Sequence, residues 1–239
     1  MRDLLWDNVG TNRFVVWLLD GSRLLASGPE ISGPPGSGWD TCFGTDFNGD
    51  EMADVLWSNP TTNQFAVWLM NGTHVLARGP EIPGPPGTGW LLATAGEFNH
   101  DGLPDIVWHN PTTNQLAVWL LNGTHVLAPG PEIPSPGEGW RVVPCGDFNG
   151  DGMTDVIWSD PRTKEFTVWL MNGTQVLARG PVIAGPPGDG WNLVPSGDAN
   201  GDGMSDVFWD NPTTNRFAVW LMNGAQLLAP GPELPGPVD

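Results

Sequence analysis

Tyrosine is absent from this chain of 239 residues, cysteine occurs twice, and lysine and arginine together number nine against twenty-seven aspartates and glutamates. The formal charge of −18 excludes a nucleic-acid backbone or an anionic membrane as partner, because both would repel it. No apolar run approaches the roughly eighteen residues of a membrane-spanning helix, so membrane insertion is not expected. No signal peptide opens the chain, and nothing in it reads as a long helix. Catalytic groupings are missing as well. There is no serine–histidine arrangement and no Cys–His pair at a useful spacing; His74 and His125 share one repeat position, while His100 and His109 do not recur. An enzyme is therefore not expected. The acids could in principle supply a glycosidase pair, but nearly every clustered acid belongs to a loop with another task.

The two cysteines do not occupy equivalent places. Cys42 stands three residues after Trp39 and Cys145 five after Trp140, in non-adjacent repeats. That spacing predicts small buried residues and no disulfide between them.

What the chain does have is Gly 33, Pro 25 and Trp 14, the composition of many short strands joined by rigid turns. Its organising stretch is Asp147-Phe148-Asn149-Gly150-Asp151-Gly152-Met153-Thr154-Asp155. Oxygen-bearing side chains stand at positions 1, 3, 5 and 9 of this loop and a glycine at position 6. Converging carboxylates and amides offer the all-oxygen shell that Ca2+ prefers. The pattern recurs as Asp46, Asn48, Asp50, Asp54; as Glu97, Asn99, Asp101, Asp105; as Asp147, Asn149, Asp151, Asp155; and as Asp198, Asn200, Asp202, Asp206. Glu51 replaces the turn glycine in the first copy and Glu97 the leading Asp in the second, so these two are expected to bind more weakly. Asp3 aligns with Asp54 as the stub of a fifth copy.

Around each loop the same strands repeat. A short strand over about 39–45 enters the loop at 46–54, and a second follows at 55–57. The turn Asn59-Pro60-Thr61-Thr62-Asn63 leads to a third strand at 64–70, whose aromatic and β-branched residues suit a sheet. Asn71-Gly72 then forms a tight hairpin, and a fourth strand covers 73–77. A proline-rich connector, Gly79 to Gly89, runs on to Trp90, where the unit begins again. Trp17, Trp68, Trp119, Trp169 and Trp220 are spaced 51, 51, 50 and 51 apart, and Trp6, Trp57, Trp108, Trp158 and Trp209 keep the same spacing. Four strands per unit of about fifty residues predict an all-β propeller of five blades, mostly four-stranded and antiparallel. It is read as one domain over 1–239, with units of roughly 1–38, 39–89, 90–139, 140–190 and 191–239. The first unit lacks its opening strand, which leaves completion by another copy, a homo-oligomer, as an expectation.

The Asp-Phe-Asn-Gly-Asp-Gly loop at 147–152 and the Val-Trp-Leu-Met-Asn-Gly run at 67–72, with their relatives, resemble the FG-GAP or VCBS type of repeat. Such repeats occur in bacterial surface and secreted proteins, in integrin α-subunit propellers and in fungal propeller lectins. The resemblance implies up to four structural Ca2+ ions, one in each quartet, between the first and second strands of a blade. It also implies seven blades in many members, where this chain has material for five. Secretion or a cell-surface location follows from the same likeness, as does binding of glycans or glycoconjugates in pockets between blades. The expected function is thus a multivalent, non-catalytic, lectin-like carbohydrate binder. Candidate ligand residues are the turn residues Asn63, Asn114 and Asn215 and the connector tryptophans Trp39, Trp90, Trp140 and Trp191; Lys164 replaces the asparagine in the fourth turn. The alternative is a structural or protein-binding module of a larger surface or secreted protein.

Overall fold

The computed structural model describes residues 4–8 and 10–236, with side chains at all of these except 42, 43, 144, 145, 195 and 196. The cysteine side chains and the Asp3 stub therefore lie outside the described residues.

Among the described residues, twenty-four strands fall into five antiparallel sheets. The first holds β1 (Leu4–Asn8), β2 (Arg13–Asp20), β3 (Arg23–Ser27) and β4 (Ile31–Ser32). The second holds β5 (Asp40–Thr45), β6 (Asp54–Asn59), β7 (Gln64–Asn71), β8 (His74–Arg78) and β9 (Ile82–Pro83). The third repeats this as β10 (Leu91–Gly96), β11 (Asp105–Asn110), β12 (Gln115–Asn122), β13 (His125–Pro129) and β14 (Ile133–Pro134). In the fourth stand β15 (Arg141–Gly146), β16 (Asp155–Asp160), β17 (Glu165–Asn172), β18 (Gln175–Arg179) and β19 (Ile183–Ala184). The fifth comprises β20 (Asn192–Gly197), β21 (Asp206–Asn211), β22 (Arg216–Asn223), β23 (Gln226–Ala229) and β24 (Leu234–Pro235). All but the short last strand of each sheet pair in chain order as a meander, and among the described residues the first sheet begins at β1, the counterpart of β6. Five such sheets make an all-β propeller of five blades.

Each connector adds a short strand that the proline content hides. Its two residues pair with the start of the third strand, as Phe65 with Ile82 and Phe166 with Ile183. Proline is tolerated there because it ends the pairing. A bulge such as that between Leu170 and Met171 shifts the register by one ahead of the hairpin turn in the first, second, fourth and fifth sheets.

The described residues group into two compact units. One runs from the first sheet through Leu92 and includes Gly102–Pro104 and Leu121–Ala128; the other comprises Ala93–Asp101, Asp105–Leu120 and Pro129 onward. Strand alternation divides each blade between two cores. In the second unit Val156, Trp158, Trp169 and Met171 of the fourth sheet pack with Phe98, Leu116 and Val118. The opposite face, Ile157, Phe166 and Val168, packs with Val207, Trp209 and Trp220 of the fifth. Phe166 meets Trp209 edge-on at 5.7 Å. In the first unit Phe14 meets Trp57 likewise at 5.3 Å. Burying such aromatic side chains is worth about 2–3 kcal/mol each, and the edge-on contact adds about 1 kcal/mol. The outer strands instead expose Leu76, Leu127, Leu177 and Leu228.

Candidate functional site

Each acidic loop is closed by its own side chains. The leading carboxylate turns onto the loop amides: Asp147 Oδ1 accepts from Gly150 N at 2.7 Å and Oδ2 from Gly152 N at 2.8 Å. Asp46 does the same with Gly49 and Glu51, and Asp198 with Gly201 and Gly203. Those two amides hold the Asp198 carboxyl below its usual range. Glu97 reaches the amides of Asn99 and His100 with its longer arm. The amide at position 3 donates to the acid at position 5, as Asn149 Nδ2 does to Asp151 Oδ2 at 2.8 Å. In turn Asp151 Oδ1 accepts from Met153 N.

The ninth-position acids have a different setting. Asp54, Asp105, Asp155 and Asp206 are all buried. Asp155 Oδ2 accepts from Phe148 N at 2.9 Å and Oδ1 from Met171 N at 2.8 Å, which pins the loop to the third strand of the blade. Asp54 does so with Phe47 and Met70, and Asp206 with Ala199 and Met222. Burial pushes the Asp54 carboxyl up to about 6 and that of Asp155 to about 7; the amides oppose the rise, and the acids at positions 5 and 1 add to it.

Two positions of the loop, not one, need a left-handed backbone. Gly150 and Gly152 have φ of 73° and 83°, and His100 and Glu51 occupy these places at 63° and 68°. The donor set of each quartet is oxygen only, and the position-9 carboxylate is flanked by acids, so its chemistry and charge fit a hard cation. Among the described residues, no three acidic, histidine or cysteine side chains converge on a common metal-binding point. Loops of the second unit are also tied to one another: Thr154 N donates to Glu97 O, Ser205 N to Asp147 O, and Gly173 N of an Asn-Gly hairpin to Phe98 O.

Of the seven residues put forward as ligand contacts, Trp39, Trp90, Trp191, Asn63, Asn114 and Asn215 bond to the proline-rich connectors. Trp39, Trp90, Trp140 and Trp191 are between 2% and 8% exposed. Three of them donate Nε1 backward to the connector, to the carbonyls of Pro35, Pro86 and Pro187. Each ring thus leaves little surface open, and Trp191 also lines a pocket between two sheets. Asn63, Asn114 and Asn215 take the αL conformation, with φ of 53°, 55° and 50°. Their carbonyls accept from Gly84, Ser135 and Gly236 of the connector. Asn63 Nδ2 also donates to Pro85 O at 2.6 Å. Asn12, which the sequence reading left out, makes the same bond to Pro34 O. In the fourth blade Lys164 stands in with φ of 60°, and its Nζ reaches Gly188 O and Asp189 Oδ1.

A pocket of about 150 Å³ lies between the fourth and fifth sheets. Arg141, Ser159, Lys164, Trp191, Asn192 and Trp209 contribute to its wall. Trp209 is buried and its Nε1 has no hydrogen-bond partner. One repeat earlier, His109 occupies the place of Ser159 and packs edge-on against Trp158 at 5.4 Å. Burial, with Arg141 nearby, lowers the His109 pKa. The serine therefore leaves open over Trp209 the volume that the imidazole fills over Trp158.

Five antiparallel sheets with acidic loops between first and second strands define a repeat propeller. The model of the FG-GAP-like repeat matches residues 46–108, 97–158 and 147–209, more than half of the chain. The chain belongs to this family. No curated protein matches it. Among solved structures it is similar to a protein of unknown function from Bacteroides caccae, with a TM-score of 0.56, 15% identity, 98% of this chain and 72% of the other covered. It is also similar to a protein named as a putative 6-phosphogluconolactonase from Bacteroides uniformis, with a TM-score of 0.59, 14% identity, and 96% and 66% covered. A third, of the same name from Bacteroides fragilis, gives 0.54, 14%, and 95% and 65%. The chain spans about two thirds of the length of the last two, and the likeness shows the fold alone.

Proposed function

We propose that this propeller is a non-catalytic carbohydrate-binding protein whose acidic loops take Ca2+ as a structural ion. One observation carries the reading: the pocket between the fourth and fifth sheets joins indole walls to polar side chains and to the Trp209 Nε1, which has no hydrogen-bond partner. A sugar ring offers the matching surfaces, an apolar face for Trp191 and Trp209 and oxygen acceptors for Ser159, Asn192, Arg141 and the Trp209 indole N–H. Its volume suits a single sugar residue at the end of a chain. Ca2+ held by positions 1, 3, 5 and 9 would neutralise the acids and fix the turn between two strands. A secreted or cell-surface setting, where calcium is plentiful, accords with this.

The test is a glycan array probed in calcium and again with chelator. Binding to a defined terminal sugar, lost in Ser159→His, supports the reading. Silence of a folded protein across a broad array removes it. A structural or protein-binding module is the second reading, favoured by the burial of the connector tryptophans.

A further inference from the structure

The pocket between the fourth and fifth sheets carries positive charge that a neutral sugar would leave unused. The chain has only nine lysines and arginines. Two of them, Arg141 and Lys164, stand in this one wall, and no aspartate or glutamate does. Both are departures from the repeat. Arg141 opens β15, where β5, β10 and β20 open with Asp40, Leu91 and Asn192. Lys164 replaces the asparagine that stands at Asn12, Asn63, Asn114 and Asn215. Two separate breaks of the repeat thus bring cations to the same place in a molecule of formal charge −18.

Neither cation is used up by the fold. Arg13, Arg162 and Arg216 pair with acids, and Arg78 and Arg179 lie over tryptophan rings. Arg141 is exposed and, among the described residues, has neither an ion pair nor a ring contact. Lys164 Nζ reaches Gly188 O, and Asp189 Oδ1 at 2.6 Å. The Asp189 side chain is fully exposed, and an ion pair open to water is worth little. The ammonium also has a third donor. Arginine, lysine and the Trp209 Nε1 can only donate, so this wall is rich in donors and poor in acceptors. A sugar hydroxyl, which donates as well as accepts, matches it incompletely. A carboxylate only accepts, and its charge-assisted bonds to a guanidinium are about twice as strong as neutral ones. Repulsion from the acids farther off is screened beyond about 8 Å at physiological salt.

We propose, resting on the carbohydrate reading, that this pocket selects a sugar bearing a carboxylate, a hexuronic acid. Its ring lies against the indoles of Trp191 and Trp209, and its carboxylate lies toward Arg141 and Lys164.

Isothermal titration of the full chain in calcium with matched methyl glycosides tests it, glucuronide against glucoside and galacturonide against galactoside. At least one acidic glycoside should bind about tenfold tighter than its neutral partner, the scale of one hydrogen bond to a charged group. Arg141→Asn and Lys164→Asn each install the residue that another blade carries at that position. Both should fold, as checked by circular dichroism, and each should bring the ratio toward one. If one of them does not fold, the other reads the same ratio. Equal or weaker binding of both acidic glycosides overturns the proposal and leaves the carbohydrate reading standing. Silence of the folded protein to all four overturns it too, and the broad array then decides the carbohydrate reading by itself. A preference that survives both substitutions also overturns it, since the carboxylate then lies elsewhere.

Discussion

Arg162 donates Nη2 to the carbonyl of Glu138 at 2.8 Å, the place that Asn59 and Asn211 fill in their own blades by donating to Ser37 and Asp189. The fourth turn has Asp160 where the others have asparagine, and a carboxylate cannot donate. Arg162 supplies the missing donor and is itself held by Asp160, at 3.0 Å. That pairing keeps the Asp160 carboxyl below its usual range.

Arg162→Thr alone should cost about 1 kcal/mol in urea denaturation, the worth of a typical hydrogen bond. Asp160→Asn together with Arg162→Thr restores the turn found in the other blades. The double variant should return to within a few tenths of a kcal/mol of wild type. Additive losses would show that the two residues do not act as a pair.

Glu51 sits at φ of 68°, where three other loops carry glycine. Glu51→Gly should raise stability by about 1 kcal/mol, because a side chain in the left-handed region is strained. Glu51→Ala keeps that strain and should give no gain. Thermal unfolding of the three proteins side by side decides it.

The strands and their fivefold recurrence were legible in the sequence because tryptophans and Asn-Gly turns hold one register through the chain. The acidic quartets were equally plain as a donor set. Less legible was the role of the ninth acid, since Asp155 meets Met171 sixteen residues away and only pairing of the strands brings the two together. His100 stood out in the sequence only as a histidine that does not recur, yet its backbone angle shows a second glycine site in the loop. Spacing alone did not show that the tryptophans at 39, 90, 140 and 191 are buried; a bond to the carbonyl four residues before, seen at three of them, accounts for it. The pocket at Ser159 depends on comparing one small residue with His109 across blades, which requires knowing that both face a neighbouring tryptophan.

Stability without metal should depend on pH through Asp54 and Asp155. Their folded-state pKa values, about 6 and about 7, lie above the ordinary 3.8. The folded state thus binds protons more tightly, and the stabilisation is complete below pH 3.8 and lost as pH rises through 6 to 7. His109, with its pKa lowered, acts in the opposite sense, losing stability as pH falls below 6.5. The urea midpoint in chelator should therefore fall between pH 4.5 and 7.5 less steeply in Asp155→Asn than in wild type. Equal slopes would remove Asp155 as the titrating group.

Calcium should reverse that loss at neutral pH. At a hundredfold excess over Kd each site contributes about 3 kcal/mol if only the folded state binds. A rise in Tm on adding Ca2+ to chelated protein is expected. Asp151→Ala should reduce the rise by the share of one loop, and an unchanged Tm in wild type would sink the metal assignment.

Ser159→His copies the third blade into the fourth. The imidazole should lie over Trp209 as His109 lies over Trp158, filling the pocket with a stability change under about 1.5 kcal/mol. Sugar binding should disappear while the fold persists. Retained binding in a folded variant would move the ligand site elsewhere.

The exposed leucines of the outer strands have a consequence for handling the protein in solution. Leu76, Leu127, Leu177 and Leu228 stand between 58% and 61% exposed on strands that form the edges of their sheets, the kind of surface on which proteins adhere to one another. What opposes this is mutual repulsion among molecules bearing a formal charge of −18. Colloidal stability is accordingly electrostatic. Acidification toward the isoelectric point near 4.2 removes the repulsion and concentrated salt screens it, so precipitation in either case is a surface phenomenon that leaves the blades folded.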